Sequence, residues 1–187
     1  IHKNVIKLMP GEIAVFSSPS QPPEINKYWC LDPRGRKGEA TSLGDETVEE
    51  FESLLTEAIG EQMLSDVPVG AFLSGGVDSS LIASYMQNIS SKKINTFTLG
   101  FKDNFYDESK NAKKISSFLG TNHHELIIDS KDALNCIEKI PTMYSEPFAD
   151  SSQIPTFLVS KLAAKNVKVV LSGDGGDELF AGYRRYV

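Results

Sequence analysis

Two glycines set between an apolar run and a helical pattern constrain this chain more than any other feature: Val69-Gly-Ala-Phe-Leu-Ser-Gly-Gly-Val-Asp-Ser-Ser80. Val69 to Leu73 is a short apolar stretch bounded by turn residues, as in a strand buried in a parallel sheet. Gly75 and Gly76 permit positive φ and let the backbone approach an anion closely. The helix that follows turns unpaired N–H groups, with about half a positive charge, toward that anion. Ser74, Ser79 and Ser80 can donate to phosphate oxygens. Asp78 cannot, and a bridging Mg²⁺ is the economical reason for a carboxylate beside phosphates. The stretch reads as a phosphate-binding turn; a plain glycine turn between core strand and helix is the alternative.

Two common phosphate signatures are absent, G-x-x-x-x-G-K-[ST] and G-x-G-x-x-G. A second glycine-rich stretch, Leu171-Ser-Gly-Asp-Gly-Gly-Asp-Glu-Leu-Phe-Ala-Gly-Tyr183, follows the apolar run Val167 to Leu171. Its acids, Asp174, Asp177 and Glu178, oppose a phosphate cradle by charge alone. They make sense opposite the first loop, with Mg²⁺ between carboxylates and a triphosphate.

Ser74-Gly-Gly-x-Asp-Ser resembles the pyrophosphate loop of enzymes that split ATP into AMP and pyrophosphate. Ser65 to Ser80 taken with Leu171 to Tyr183 resembles the synthetase domain of glutamine-hydrolysing asparagine synthetases. The fold implied is α/β, a parallel sheet with helices on both faces of the adenine nucleotide alpha hydrolase-like, PP-loop ATP pyrophosphatase kind, preceded by a short β segment. The chemistry implied has two steps: adenylation of a carboxylate, aspartate in the named family, and displacement of AMP by ammonia from glutamine. The resemblance places Ser74, Gly75, Gly76, Asp78 and Ser79 at the pyrophosphate and Asp78 with Asp177 at Mg²⁺. It places Leu73, Leu99, Ser172 and Gly173 at the nucleoside, and Asp174 where an acid of the family, Glu in some members, assists the chemistry. The family's catalytic lysine would lie beyond Val187 and its glutaminase cysteine before Ile1, so binding without turnover is the expectation. A synthetase closing a β-lactam or amidating a surface sugar shares both loops, and a non-catalytic nucleotide-binding module is a further alternative.

The chain has 187 residues, enough for one full core. Its net charge of −6 lacks the basic footprint of a nucleic-acid binder, and no apolar run approaches the roughly 20 residues of a membrane helix. Cys30 and Cys136 form no zinc or C-x-x-C spacing, and they favour a reducing, cytoplasmic setting. Cys30 reads as a packing residue. A start at Ile1 and a stop after Tyr183-Arg-Arg-Tyr-Val187 make a fragment the expectation. The resemblance leaves a homodimer of the full-length protein open.

Along the chain, Val5, Ile6 and Leu8, a Met9-Pro-Gly turn and Glu12 to Phe16 predict a hairpin. In the resembled family such a segment, ending in Tyr28-Trp29, is the tail of the glutaminase domain. The expected division is 1–37, tail and linker, and 38–187, the first part of the synthetase domain; Asp32 to Gly44 is the candidate linker. Thr47-Val-Glu-Glu50 predicts a capping box, opening a helix whose stripe is Val48, Phe51, Leu54, Leu55, Ala58, Ile59 and Met63. A helix from about Ser79 to Gln87 turns Leu81, Ile82, Tyr85 and Met86 inward. Ile94 to Gly100 is a second strand, whose carboxyl end is where open sheets bind ligands. Asp107 or Ser109 caps a helix carrying Ala112, Ile115, Phe118 and Leu119, closed by Gly120.

Glu125 to Asp129 is a third strand, with His123 and His124 before it. Adjacent histidines point to opposite faces, so a structural role outweighs a shared metal. A helix over about Lys131 to Lys139 precedes Tyr144 to Thr156, whose acids, hydroxyls and prolines read equally as a substrate-positioning loop or a helix start capped by Ser151 or Ser152.

Overall fold

The computed structural model describes residues 3–30, 44–102, 107–146, 149–180 and 182–183. Its contacts divide the chain into two units, Ile1–Asp45 and Glu46–Val187. The linker expected over Asp32 to Gly44 lies outside the described residues except for Gly44.

In the first unit, β1 (Glu12–Val15) pairs antiparallel with β2 (Glu24–Lys27), Glu12 facing Lys27 and Ala14 facing Ile25. This corrects the predicted hairpin, because Val5 to Leu8 forms no strand. The Pro10-Gly11 turn is closed by Glu12 N–H on the Met9 carbonyl at 3.1 Å. The Gly11 carbonyl then takes the Tyr28 and Trp29 amides at 2.9 and 3.3 Å, tying the chain after β2 back to the turn. Gly11, at φ +76°, leaves no room for a Cβ beside the Trp29 carbonyl. The opposite charges of Glu12 and Lys27 favour this register.

The second unit begins with α1 (Asp45–Met63), then β3 (Val69–Phe72), α2 (Val77–Ile89), β4 (Asn95–Phe101) and α3 (Ser109–Leu119). It continues with β5 (Asn122–Ile128), α4 (Ser130–Ile137), α5 (Ile140–Met143), α6 (Gln153–Ala163), β6 (Val169–Leu171) and α7 (Gly176–Phe180). The four strands β3 to β6 form one parallel sheet in the order β5-β4-β3-β6. Each crossover carries helices, which is what parallel pairing requires.

Period-two alternation sorts the core onto both faces of the sheet. Ala71 and Leu73 pack with Ile59 of α1, Ala83 and Met86 of α2 and Ala112 of α3. Phe72 turns to the other face, against Phe97, Val159, Ala163 and Val167. Phe97 takes the space a side chain at Gly70 would fill, its Cε2 2.8 Å from the position of a Cβ there.

Several local expectations change in this context. Helix α1 starts at Asp45, so Thr47 lies in its first turn and is not its N-cap. Of the predicted stripe only Ile59 is buried, while Val48, Leu54 and Ala58 are exposed. In α2, Leu81 is exposed and Ala83 takes its place in the core. In α3, Phe118 is 90% exposed although it sits at helical spacing from Ala112 and Ile115. The reason is common to all three: a helix on a sheet buries a narrower arc than its apolar residues span, and small residues occupy the closest approach.

Strand β5 starts earlier than predicted and includes both histidines. They point apart as expected. His123 Nδ1 lies 2.9 Å from the Thr96 hydroxyl, and His124 stacks on Phe97 at a centroid distance of 5.1 Å. Helix α4 opens on a capping box made by Asp129 and Asp132, and Gly120 closes α3 at φ +74°. Among the described residues no helix is long and apolar enough to cross a membrane.

Candidate active site

Strands β3 and β6 lie side by side in register, Ala71 opposite Leu171, so the loops that leave them start at the same level of the sheet. From β3 the chain crosses to β4 on one flank, whereas β6 returns on the other. That is a topological switch point, where open α/β sheets hold ligands at the carboxyl ends of their strands.

The first loop is organised by its own hydroxyls. Ser79 Oγ lies 2.9 Å from Ser74 Oγ and accepts the Ser74 amide at 3.2 Å, while Ser74 Oγ accepts the Gly76 amide at 3.2 Å. Ser80 donates to the Gly76 carbonyl at 2.6 Å, and the Ser79 hydroxyl lies 3.3 Å from the same oxygen. Gly75 adopts φ +90° and abuts α3: a Cβ there would meet the Ala112 nitrogen at 2.9 Å and the Glu108 carbonyl at 3.2 Å. Asp78 sits in the first turn of α2, where the helix dipole favours its carboxylate.

The second loop locks onto the first. A Cβ on Gly173 would lie 2.8 Å from the Ser79 nitrogen, and one on Gly176 would lie 2.7 Å from the Asp78 carboxylate carbon. Ser172 donates to Asp174 at 3.0 Å, and Tyr183 donates to Glu178 at 2.6 Å.

Between the loops lies a cleft of about 390 Å³. It is lined by Leu73, Ser74, Gly76, Asp78, Ser79, Leu99, Ser172, Gly173, Asp174 and Asp177, so ten of the eleven residues that the family resemblance points to meet there. Gly75 is the one that does not line it, because it faces α3. The remaining walls come from residues that sequence reasoning missed, among them Phe72, Thr98, Phe101 and Glu108. Phe101 could have been found as the end of the apolar β4 pattern; Glu108 carries no comparable signal. Pro155 and Thr156, in the first turn of α6, also line the cleft. The Tyr144 to Thr156 stretch thus ends as a helix start, and that same turn faces the site. Ser152 is the N-cap residue without a side-chain bond; the Asp150 carboxylate instead accepts the Ser152 amide at 2.8 Å, which lowers the Asp150 pKa.

Among the described residues the cleft lining holds four carboxylates, Asp78, Glu108, Asp174 and Asp177, and no lysine, arginine or histidine. Four carboxylates repel an anionic guest, and a cation set between them and the guest would offset that repulsion. Among the described residues no group of three or more His, Cys, Asp or Glu is arranged to enclose a metal. One or two carboxylates completed by phosphate oxygens and water is the donor set of Mg²⁺, and Asp78 with Asp177 fit it.

The asparagine synthase family model matches residues 50–187. The chain belongs to the asparagine synthase family. A Methanocaldococcus jannaschii protein assigned to the glutamine-hydrolysing asparagine synthetases is 40% identical over 190 residues, covering all of this chain and 36% of that protein. Glutamine-hydrolysing asparagine synthetase 1 of Bacillus subtilis is 39% identical over 142 residues, 76% of this chain and 22% of its own length. This family chain thus spans about a third or less of the curated relatives it matches. In fold it is similar to a glutamine-dependent NAD⁺ synthetase from Acinetobacter baumannii solved with ADP, at TM-score 0.54 and 22% identity over 78% of this chain and 29% of that one. The NH3-dependent NAD synthetase of Campylobacter jejuni gives TM-score 0.51 and 18% identity over 72% of this chain and 60% of that one. The parallel sheet with helices on both faces is the fold they share.

Proposed function

We propose that this chain is the nucleotide-binding part of an enzyme that makes an amide at the expense of ATP, with aspartate as acceptor and asparagine as product. The observation that carries the reading is the interlock of Gly173 and Gly176 with Asp78 and Ser79 at the switch point between β3 and β6. It brings hydroxyls, backbone amides and paired carboxylates to one cleft.

In this reading the Ser74 to Ser79 loop receives the β- and γ-phosphates, which leave as pyrophosphate when the acceptor carboxylate attacks the α-phosphorus. Ammonia derived from glutamine then attacks the acyl carbon, and AMP departs. The Ser74, Gly75 and Gly76 backbone and the Ser79 hydroxyl stabilise the leaving pyrophosphate, each well-placed donor contributing about 3 to 4 kcal/mol in sites of this kind. Asp78 and Asp177 hold Mg²⁺, which when bound neutralises phosphate charge. Leu73, Leu99, Ser172 and Gly173 contact the nucleoside. Asp174, oriented by the Ser172 hydroxyl, assists at the reacting carboxylate. Residues 1–37 are the tail of a glutaminase domain, and 38–187 the first part of the synthetase domain.

Calorimetric titration of Mg-ATP into the wild type and Asp78→Ala tests the reading. A loss of affinity of tenfold or more is expected in the variant; equal affinity in the two proteins would sink the metal-loop assignment.

A further inference from the structure

In a parallel ladder, alternate residues turn both N–H and C=O to the same neighbouring strand. Phe97 accepts the Leu73 amide at 2.9 Å, so Phe97 and, by alternation, Leu99 face β3. The even-numbered residues of β4 face β5, as the bond from Asn122 to the carbonyl of Ile94 and the one from Lys102 to the carbonyl of Ile128 show at either end. The next rung between β3 and β4 would join the Leu99 N–H to the Leu73 carbonyl. That rung is missing: pairing ends at Phe72 opposite Phe97, and no backbone bond joins Leu99 to Leu73 among the described residues. The Leu73 carbonyl is taken instead by the hydroxyl of Thr98, a residue only 2% exposed.

We infer that Thr98 is a specificity-determining residue: by occupying the Leu73 carbonyl with its hydroxyl, it leaves the Leu99 peptide edge open to read an adenine base. The inference rests on the nucleotide reading of the cleft given above. Leu73 is buried, and its carbonyl needs a donor. With Thr98 supplying one, the N–H and C=O of Leu99, on the β3 side of β4, have no backbone partner there among the described residues, and Leu99 lines the cleft. A donor and an acceptor side by side match the edge of adenine, where a ring nitrogen acceptor neighbours an amino donor. Hypoxanthine carries a carbonyl in place of that amino group, and a site built to hydrogen-bond one pattern rejects the other. Without the hydroxyl, the donor that ladder alternation sets opposite the Leu73 carbonyl is the Leu99 N–H itself. Forming that rung withdraws it from the base.

The test is calorimetric binding of Mg-ATP, Mg-ITP and inorganic pyrophosphate to wild type, Thr98→Val and Thr98→Ser. Valine matches threonine in shape, and serine restores the hydroxyl. The valine variant is expected to lose about tenfold in ATP affinity, the scale of a single hydrogen bond to a ligand. Its preference for ATP over ITP should collapse toward unity while pyrophosphate binding stays within about twofold, and serine should restore the preference. A valine variant that keeps the wild-type preference overturns the inference, and so does an equal loss for ATP and pyrophosphate, which would mark Thr98 as merely structural. Should the valine variant not fold, Thr98→Ala against Thr98→Ser makes the same comparison. A wild type that binds pyrophosphate but does not prefer ATP to ITP overturns base reading alone. A wild type that binds none of the three removes the nucleotide reading before any variant is made.

Discussion

Gly176 stands against the carboxylate of Asp78, with room for a hydrogen and not for a methyl group: a Cβ there would lie 2.7 Å from Cγ and 2.9 Å from Oδ2. The obstructed atoms are the end of a short side chain that can swing away, and alanine suits the start of α7 better than glycine by about 1 kcal/mol. Gly176→Ala should therefore leave the urea midpoint nearly unchanged while turning Asp78 out of position. Mg-ATP affinity, measured beside the midpoint, should fall about tenfold. Gly173→Ala should behave differently. Its Cβ would meet backbone, the Ser79 nitrogen at 2.8 Å and the Asp78 carbonyl carbon at 3.0 Å, so the loops must part and stability should fall by about 1 to 3 kcal/mol.

Gly75 combines φ +90° with a Cβ position 2.9 Å from the Ala112 nitrogen. A side chain there is strained and also pushes the loop off α3. Gly75→Ala should cost about 1 to 3 kcal/mol in chemical denaturation and weaken pyrophosphate binding, although Gly75 itself does not line the cleft. Unchanged stability would show that α3 does not buttress the loop.

Asp129 receives the Lys102 ammonium at 2.8 Å and the Asp132 and Lys131 amides, and these hold its carboxyl down at about 2. A carboxyl whose folded pKa lies below its unfolded value of about 3.9 stabilises the fold above that value. The contribution is lost as pH falls toward 2. Wild type should exceed Lys102→Met in urea midpoint at pH 6, and the gap should close at pH 2. Both side chains are substantially exposed, so the gap should also shrink in high salt.

His123 is pressed the other way. Burial, first, lowers its pKa below 6.5, with His124 and Lys113 adding to the effect and Glu125 opposing it; its Nε2 is buried with no partner among the described residues. The unfolded chain then binds the proton more readily, so stability should be complete above about pH 6.5 and decline as pH falls below it. The urea midpoint should drop between pH 7.5 and 5.5 by more in wild type than in His123→Gln, and a proton titration by NMR should place the folded imidazole below 6.5.

Much of the site was legible because its requirements are local. A glycine pair after an apolar run, with a carboxylate in the first helical turn, declares strand, turn and helix in a dozen residues. The same logic found the Ser172 to Asp177 loop, and Gly120 at the end of α3. Where the reading failed, the deciding partner lay elsewhere in the fold. Val5 to Leu8 has the pattern of a strand, yet Glu12 to Val15 pairs with Glu24 to Lys27, whose lysine complements Glu12. Phe118 and Leu81 keep helical spacing but fall outside the arc that the sheet covers.

By itself, the sequence determined the alternation of helices and strands from α1 to β6 apart from the short α5, the two glycine-rich loops and the carboxylates they carry, since φ preferences, apolar periodicity and helix starts act within a few residues. The tertiary structure alone decided that β6 lies beside β3, that Gly173 and Gly176 close on Asp78, that Glu108 joins the cleft, and that the Thr98 hydroxyl replaces a backbone rung. These facts depend on which strands pair and in which register. Pairing is settled by burial on both faces of the sheet, by residues distant in the chain.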